Sequence, residues 1–384
     1  MKHSMAFAAC GVAWVWVGAL SAAEPVAFGK TVVDTTFRAE GVAVGDVNKD
    51  GKMDILSGDV WYEAPDWKMH EVRKVGKYNY AGGYSNCFAN FAMDVNGDGW
   101  VDSIVIGFPG QACLWYENPQ NKPGHWKQRK VCNSACNETP IFPDLLGDGK
   151  GVPLFGSDGK MTWYSVPKDL DKPWDAHPIS KPKSPGTAPF SHGLGCGDVN
   201  GDGRNDVLIK EGWWEAPEDR TQGDWKFHPA RLGPDCADLL VYDVDGDGLN
   251  DVITSSAHNF GMWWHKQTKT DKGIEFKQIE IGKSFSQTHA MHLVDVNGDG
   301  VKDVVTGKRY YAHNGHDPGG KDPKVLVVWF ELRRPEKGKA EFVMHEIDDD
   351  SGVGTQFAVA DMNGDGKPDI VTSNKKGVRV FVQK

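Results

Sequence analysis

The most chemically loaded stretch of this chain is nine residues long, Asp243-Val-Asp-Gly-Asp-Gly-Leu-Asn-Asp251. Oxygen ligands at positions 1, 3, 5 and 9, here Asp243, Asp245, Asp247 and Asp251, can converge on one hard cation, and Gly at position 6 permits the tight turn that convergence needs. The same spacing gives Asp46, Asn48, Asp50 and Asp54, then Asp94, Asn96, Asp98 and Asp102, then Asp198, Asn200, Asp202 and Asp206. It returns as Asp295, Asn297, Asp299 and Asp303 and as Asp361, Asn363, Asp365 and Asp369. A damaged copy at Asp144 carries Leu146 and Val152 where ligands belong and is expected to be empty. Repetition on this scale makes the loop a unit of architecture before it is a site.

The elements that must hold these loops are strands. Each loop lies between β-like runs, as Gly41-Val-Ala-Val-Gly45 leads into the first and Asp54-Ile-Leu-Ser57 leads out. An aromatic strand follows, Val60-Trp-Tyr-Glu63, and then a fourth around Trp67 to Val72. Later units repeat the order, with first-Asp intervals of 45 to 66 residues, and four strands per repeat is the signature of a propeller blade. The last unit stops at its third strand, Val378 to Val382, while the N-terminus supplies an orphan strand, Phe28 to Val33. The expectation is all-β: a seven-bladed β-propeller with four-stranded blades, its ring closed by the N-terminal strand completing the last blade, which removes an exposed edge. One such domain would fill residues 24–384.

The loop pattern resembles the FG-GAP or VCBS repeats of integrin α-chain propellers and of many exported bacterial proteins. An EF-hand would need a twelve-residue loop ending in Glu and flanked by helices, neither of which is present. The resemblance implies Ca²⁺ at each of the six intact loops, as structural staples between strands.

Chemistry should then lie at the other end of the inner strands. Six residues back from each first Asp is about 20 Å along a strand, and those residues are Glu40, Phe88, Glu138, His192, Ala237, His289 and Thr355. His292 has the opposite parity on its strand and should face away. The turns after the second strands return to the same face and bring Lys210-Glu211, His258-Asn259 and Lys308-Arg309-Tyr310, with His313 and His316 in an insertion from Tyr311 to Lys324. The candidate catalytic set is His192, His258, His289, Tyr310, Arg309, Lys308 and Glu138, a mixture able to bind a polar ligand or move a proton.

The repeats and their Trp-Tyr-Glu strands are also similar to the propeller of aldos-2-ulose dehydratase, although this chain lacks that family's cupin and lectin-like regions. The similarity implies β-elimination from an oxidised keto sugar, with His192, His289 or His258 as base, Tyr310 as acid, and Lys308 or Arg309 beside the enolate. A catalytic metal held by His192, His289 and Glu138 is a further reading that no spacing motif secures. The alternative is a binding propeller, such as a lectin, adhesin or scaffold, taking a carbohydrate or a protein partner without turnover. The polar residues of the face differ from unit to unit, which favours one asymmetric site over seven equal ones.

The formal net charge is −10, concentrated in the loops, and no basic stripe suits nucleic acid. Residues 1–23 read as a secretory signal: Lys2 and His3, an apolar run from Met5 to Leu20, and a small-residue site at Ser21-Ala22-Ala23. The chain is therefore expected to be secreted or periplasmic, with no membrane span after cleavage. Cys87, Cys113, Cys132, Cys136, Cys196 and Cys236 remain, as buried thiols or as one or two disulfides.

Overall fold

The computed structural model describes residues 26–384. The expected signal segment, 1–23, lies outside them. The architecture is all-β, a propeller arrangement of small sheets, with one single-turn 3₁₀ segment at Ala312–Gly315. No helix among the described residues is long and apolar enough to cross a membrane.

Hydrogen bonding divides the strands into six sheets. The first joins Ala43–Gly45, Asp54–Ser57, Val60–Glu63 and Lys68–Glu71 in chain order, and the unit from Ala89–Met93 to Lys127–Ala135 repeats it. The sheet of Met291–Val294, Asp303–Gly307, Val327–Arg333 and Glu341–Asp348 has the same order. The last sheet places the N-terminal strand Phe28–Asp34 antiparallel to the C-terminal strand Gly377–Gln383, so the two ends of the chain share one sheet.

The seven separate four-stranded blades expected from the repeat are not what the hydrogen bonds give: five sheets of three or four strands stand alone, and a sixth is continuous over eight. The eight-stranded sheet fuses the units around Asp198 and Asp243 through parallel pairing of Leu194 with Asp238 and Gly195 with Leu239. Glycine makes the fusion possible. A Cβ at Gly195 would lie 2.2 Å from the Leu239 carbonyl oxygen, and one at Gly197 would lie 2.6 Å from Val241. The three-stranded sheet belongs to the damaged repeat. Its inner segment, Pro140-Ile-Phe-Pro143, makes only an isolated bridge between Ile141 and Leu154, because proline offers no ladder N–H.

The ninth residue of each intact loop is a bolt. Asp54 is fully buried; one carboxylate oxygen accepts the Val47 N–H at 2.9 Å and the other the Ala64 N–H at 2.8 Å, tying the loop to the end of the third strand. Asp102, Asp206, Asp251, Asp303 and Asp369 repeat this pair of bonds in their own units. Val152 stands at that position in the damaged repeat and can accept nothing. Between the sheets, Trp and Tyr side chains of the aromatic strands fill the core, including Tyr62, Trp115, Tyr116 and Trp163. His70, His177, His228 and His345 stack on Trp61, Trp163, Trp213 and Trp329 with ring centroids 3.9 to 4.4 Å apart, so these indoles are covered. All six cysteines of the described residues are free thiols, which leaves the disulfide alternative without a bridge.

Candidate functional site

At the end of the inner strands away from the loops, the residues six places upstream of each first Asp are stitched together. The Thr355 N–H donates to the Glu40 carbonyl at 2.8 Å, its hydroxyl bonds the Phe88 carbonyl, and the Glu40 N–H donates to the Cys87 carbonyl. Into this layer the turn after Asp303–Gly307 sends Arg309, which is 0% exposed. Its Nε donates to Glu40 Oε2 at 3.1 Å and its Nη1 to Glu138 Oε1, and the guanidinium lies over the rings of Tyr84 and Phe88.

Glu138, 3% exposed, is the hub. Its other oxygen lies 3.0 Å from His192 Nε2, and Oε1 lies 3.9 Å from His289 Nε2. Burial by itself would raise its pKa, but Arg309 and the two histidines hold it well below the usual carboxylate range. His192 Nε2 also meets His258 Nε2 at 3.0 Å. His289 is fully buried, and burial together with Arg309 holds its pKa well below the usual imidazole value. Burial and the neighbouring His192 likewise lower His258, against the opposing pull of Asp317. Both rings are therefore held toward the neutral form that can take a proton.

A cavity of about 530 Å³ opens above this cluster. Tyr84, Phe88, Phe108 and Phe190 line it on one side; Glu138, His192, His258, His313, Lys210, Glu211 and Asp235 supply its polar groups. The insertion folds over the rim. Its Asp317 accepts from His313 Nδ1 at 2.7 Å and bonds His258 Nδ1 at 3.3 Å. Tyr311, His313 and Asn314 all sit in the left-handed region, at φ of 54°, 46° and 56°, a conformation that costs free energy and persists only where the surroundings enforce it.

Of the residues singled out in the sequence, the structure gathers His192, His258, His289, Glu138 and Arg309 within one network. Arg309 and His289 lie beneath the cavity floor, so neither lines it. Lys308 is buried with its ammonium bonded to the Gly319 carbonyl and 3.8 Å from Asp322; it anchors the insertion instead of facing the cavity. Tyr310 is also elsewhere, packed beside Tyr311 under the Lys376 ammonium. The tyrosine at the site is Tyr84, whose hydroxyl accepts the His313 N–H at 3.2 Å. Sequence reasoning missed Tyr84 and Asp317. Tyr84 precedes an inner strand at no repeat position; Asp317 follows His313 by four residues in the insertion, and that pairing was its only signal. His316 is exposed, and His292 donates to the Phe357 carbonyl among the inner strands, away from the cluster.

The six loops fit a hard cation by their donor set. In the first, Asp46 and Asn48 oxygens both lie within hydrogen-bond reach of the Asp50 N–H, so positions 1 and 3 face one point, while the Asp50 carboxylate bonds the Lys52 N–H and ammonium. Burial pushes the ninth-position carboxyls up, to about 6 at Asp54, Asp251 and Asp303 and about 7 at Asp102 and Asp206. A nearby cation would favour their charged forms. Side-chain cations already touch three of the ligand sets: Lys52 lies 3.0 Å from Asp50, Arg204 bonds Asp202, and Lys266 sends its ammonium to Asp245 and to within 3.3 Å of Asp247. The Asp144 loop keeps its turn through Gly147, Asp148 and Gly149 N–H groups but has no converging set.

Family comparison agrees with the repeat reading. An FG-GAP-like repeat family matches residues 243–306 and an FG-GAP repeat family residues 353–380. No curated protein matches the chain. Among solved structures, BBS1N in complex with ARL6DN aligns at a TM-score of 0.51 and 11% identity, over 93% of this chain and 96% of the other, a likeness of fold. The exotype rhamnogalacturonan lyase YesX aligns at 0.49 and 13% identity, over 90% of this chain and 72% of its own. A lectin of Agrocybe aegerita that recognises non-reducing terminal N-acetylglucosamine aligns at 0.46 and 17% identity, over 80% and 79%.

Proposed function

We propose that this chain is an exported, calcium-binding FG-GAP propeller that acts on carbohydrate at the mouth opposite its loops, by β-elimination of water from an oxidised keto sugar. The observation that carries the reading is the pair His192 and His258 at the edge of a cavity, backed by the buried ion pair of Glu138 and Arg309. A buried carboxylate bonded to an imidazole fixes its orientation and stabilises the charged form it acquires on taking a proton. His258 is the better base, because it is half-exposed and held neutral while Asp317 braces its far nitrogen. The C–H bond α to the carbonyl breaks as His258 takes the proton, the double bond forms toward the β-carbon, and the β-hydroxyl leaves as water. Tyr84 is placed to supply the proton to that leaving group.

This assignment moves two roles. Arg309 cannot touch an enolate from its buried position, so it serves as a positioning residue for Glu138; Lys210, which lines the cavity beside Asp235, is the cation within reach. The six loops, at Asp46, Asp94, Asp198, Asp243, Asp295 and Asp361, take Ca²⁺ as scaffold.

The test is incubation with 2-keto sugars and oxidised glycosides, watching for enone absorbance. Turnover that disappears in His258→Ala with an unchanged melting temperature supports the reading. Saturable sugar binding with no enone would sink the elimination and leave a binding propeller; neither binding nor turnover across a broad sugar panel would sink the carbohydrate reading.

A further inference from the structure

Three features of the mouth are unexplained by proton transfer alone. One nitrogen from each of His192, His258 and His289 lies within 4.8 Å of the others. His192 Nε2 and His258 Nε2 face each other at 3.0 Å, an N–H···N contact whose single proton an ion shared by the two rings would displace. His289 Nε2 is buried without any hydrogen-bond partner, and an orphaned polar atom at a buried position calls for an explanation.

The tautomers point one way. His289 Nδ1 lies 3.3 Å from the Gln287 carbonyl, which can only accept, so the proton sits on Nδ1 and Nε2 carries the lone pair. His258 Nδ1 lies 3.3 Å from Asp317 Oδ2, which by the same logic leaves Nε2 as the lone-pair atom. A carbonyl or carboxylate behind an imidazole is the arrangement that orients metal-ligating histidines and raises their basicity. Asp317 is itself held by His313 at 2.7 Å and Gln287 at 3.3 Å, so the brace is built rather than incidental.

We propose that His192, His258 and His289 form a site for one first-row divalent metal ion of the zinc class, distinct in chemistry from the calcium loops. Three imidazole nitrogens suit a borderline ion at about 2.0–2.1 Å, whereas Ca²⁺ takes oxygen. Glu138 Oε2, 3.0 Å from His192 Nε2 and on the same side of that ring, is positioned as a fourth ligand. The ion's remaining position would open into the cavity beside Lys210 and Tyr84, where a sugar hydroxyl or carbonyl oxygen can reach it. The inner-strand positions announce His192, His289 and Glu138; the member that repeat position does not place is His258, which comes from a turn. The ion and the substrate's proton compete for the one lone pair on His258 Nε2, so His258 acts as base only in the metal-free protein; the ion's part in catalysis rests on the carbohydrate reading, and the site itself does not.

The experiment uses the untagged full-length mature protein in saturating Ca²⁺, titrated with Co²⁺ and followed by visible absorption, with Zn²⁺ as competitor. The expected result is one equivalent bound per chain, with ligand-field bands of a nitrogen-rich, low-coordinate site that Zn²⁺ abolishes. His258→Ala and His192→Ala should each weaken Co²⁺ binding at least about 100-fold, in line with loss of a ligand or its support. His177→Ala, a histidine stacked on Trp163 far from the mouth, should leave it unchanged. His258 is half-exposed, so its variant is expected to fold, and an unaltered melting temperature in Ca²⁺ checks this. Absence of a Co²⁺ band at one equivalent, or equal affinity in His258→Ala and wild type, overturns the proposal. A band that persists in a protein inert toward every sugar overturns the carbohydrate reading and leaves the metal site standing.

Discussion

Arg309 offers the sharpest test of how the mouth is held together. It is the one guanidinium bonded to both Glu40 and Glu138, and all three side chains are buried. Replacing it with Met preserves much of the volume and removes the charge. Two like charges left at roughly 5 Å repel by about 3 kcal/mol at an effective dielectric near 20, and breaking a buried ion pair from one side costs about 3–5 kcal/mol. The network is already imperfect, because Glu40 Oε1 and Arg309 Nη2 lack partners, so the lower part of that range is expected. Glu40→Gln leaves Arg309 and Glu138 as a balanced pair and should cost about 1 kcal/mol or less. The double variant should then be more stable than the sum of the singles predicts by about 1–2 kcal/mol, since one of the stranded carboxylates is gone. Urea unfolding by tryptophan fluorescence, in saturating Ca²⁺, gives all four free energies. Turnover should fall in Arg309→Met and survive in Glu40→Gln, because only the first unseats Glu138. An Arg309→Met variant within 1 kcal/mol of wild type, or a cycle that closes additively, would refute the argument.

Three further outcomes follow from single contacts. Chelation should lower the melting temperature, and Lys266→Met should widen the gap between calcium-loaded and chelated protein, because it removes the internal ammonium at Asp245 and Asp247; calorimetry with and without EDTA reads both. His265 is buried against Thr254, and burial pulls its pKa down to about 4. Neutral imidazole is thus favoured in the folded state, so its contribution is complete above the unfolded pKa near 6.5 and is lost as pH falls through about 4, a change of about 3 kcal/mol. His265→Gln should flatten the stability profile between pH 6.5 and 4 in equilibrium unfolding, and an unchanged slope would exclude His265 as its source. Tyr84→Phe should reduce keto-sugar turnover by about 10²-fold or more while Tyr310→Phe stays near wild type; the reverse order would restore Tyr310 to the site.

The strands and their order were legible because each unit prints the same signals: a loop of spaced Asp, a β-branched run, then Trp-Tyr or Trp-Trp. Counting separate sheets from those units failed at two places, for opposite reasons. At Gly195 and Gly197 the lack of side chains lets neighbouring inner strands approach and pair, and no periodicity reports that. At Pro140 and Pro143 the missing N–H groups dissolve an inner strand, which the damaged loop beside it hinted at. In the mouth, position along the inner strands located Glu138, His192 and His289, since strand geometry carries that information. Side-chain direction after a turn is not carried the same way. Lys308, Arg309 and Tyr310 are consecutive, yet one anchors the insertion, one lies beneath the floor, and one packs under Lys376.

That divergence explains why a repeat can build one asymmetric site. The ninth-position Asp bonds backbone N–H groups alone, and backbone is the same in every unit, so the loop end of the ring stays regular. At the opposite end the inner strands meet through side chains. One Arg from one unit answers Glu40 and Glu138 from two others; His192 beside Glu138 comes from a fourth unit, and His289 from the unit of Arg309 itself. Each such contact is satisfied only by an unlike partner, because two carboxylates or two guanidiniums at those distances repel. Identical charged residues at these positions would therefore repel, so the charged part of the mouth has to differ from unit to unit. A site assembled this way should fail as a unit: losing Arg309 should disturb His192 as well as Glu138, visible as a shifted His192 imidazole resonance in Arg309→Met that Glu40→Gln does not produce. Matching His192 resonances in the two variants would mean the residues merely share a wall.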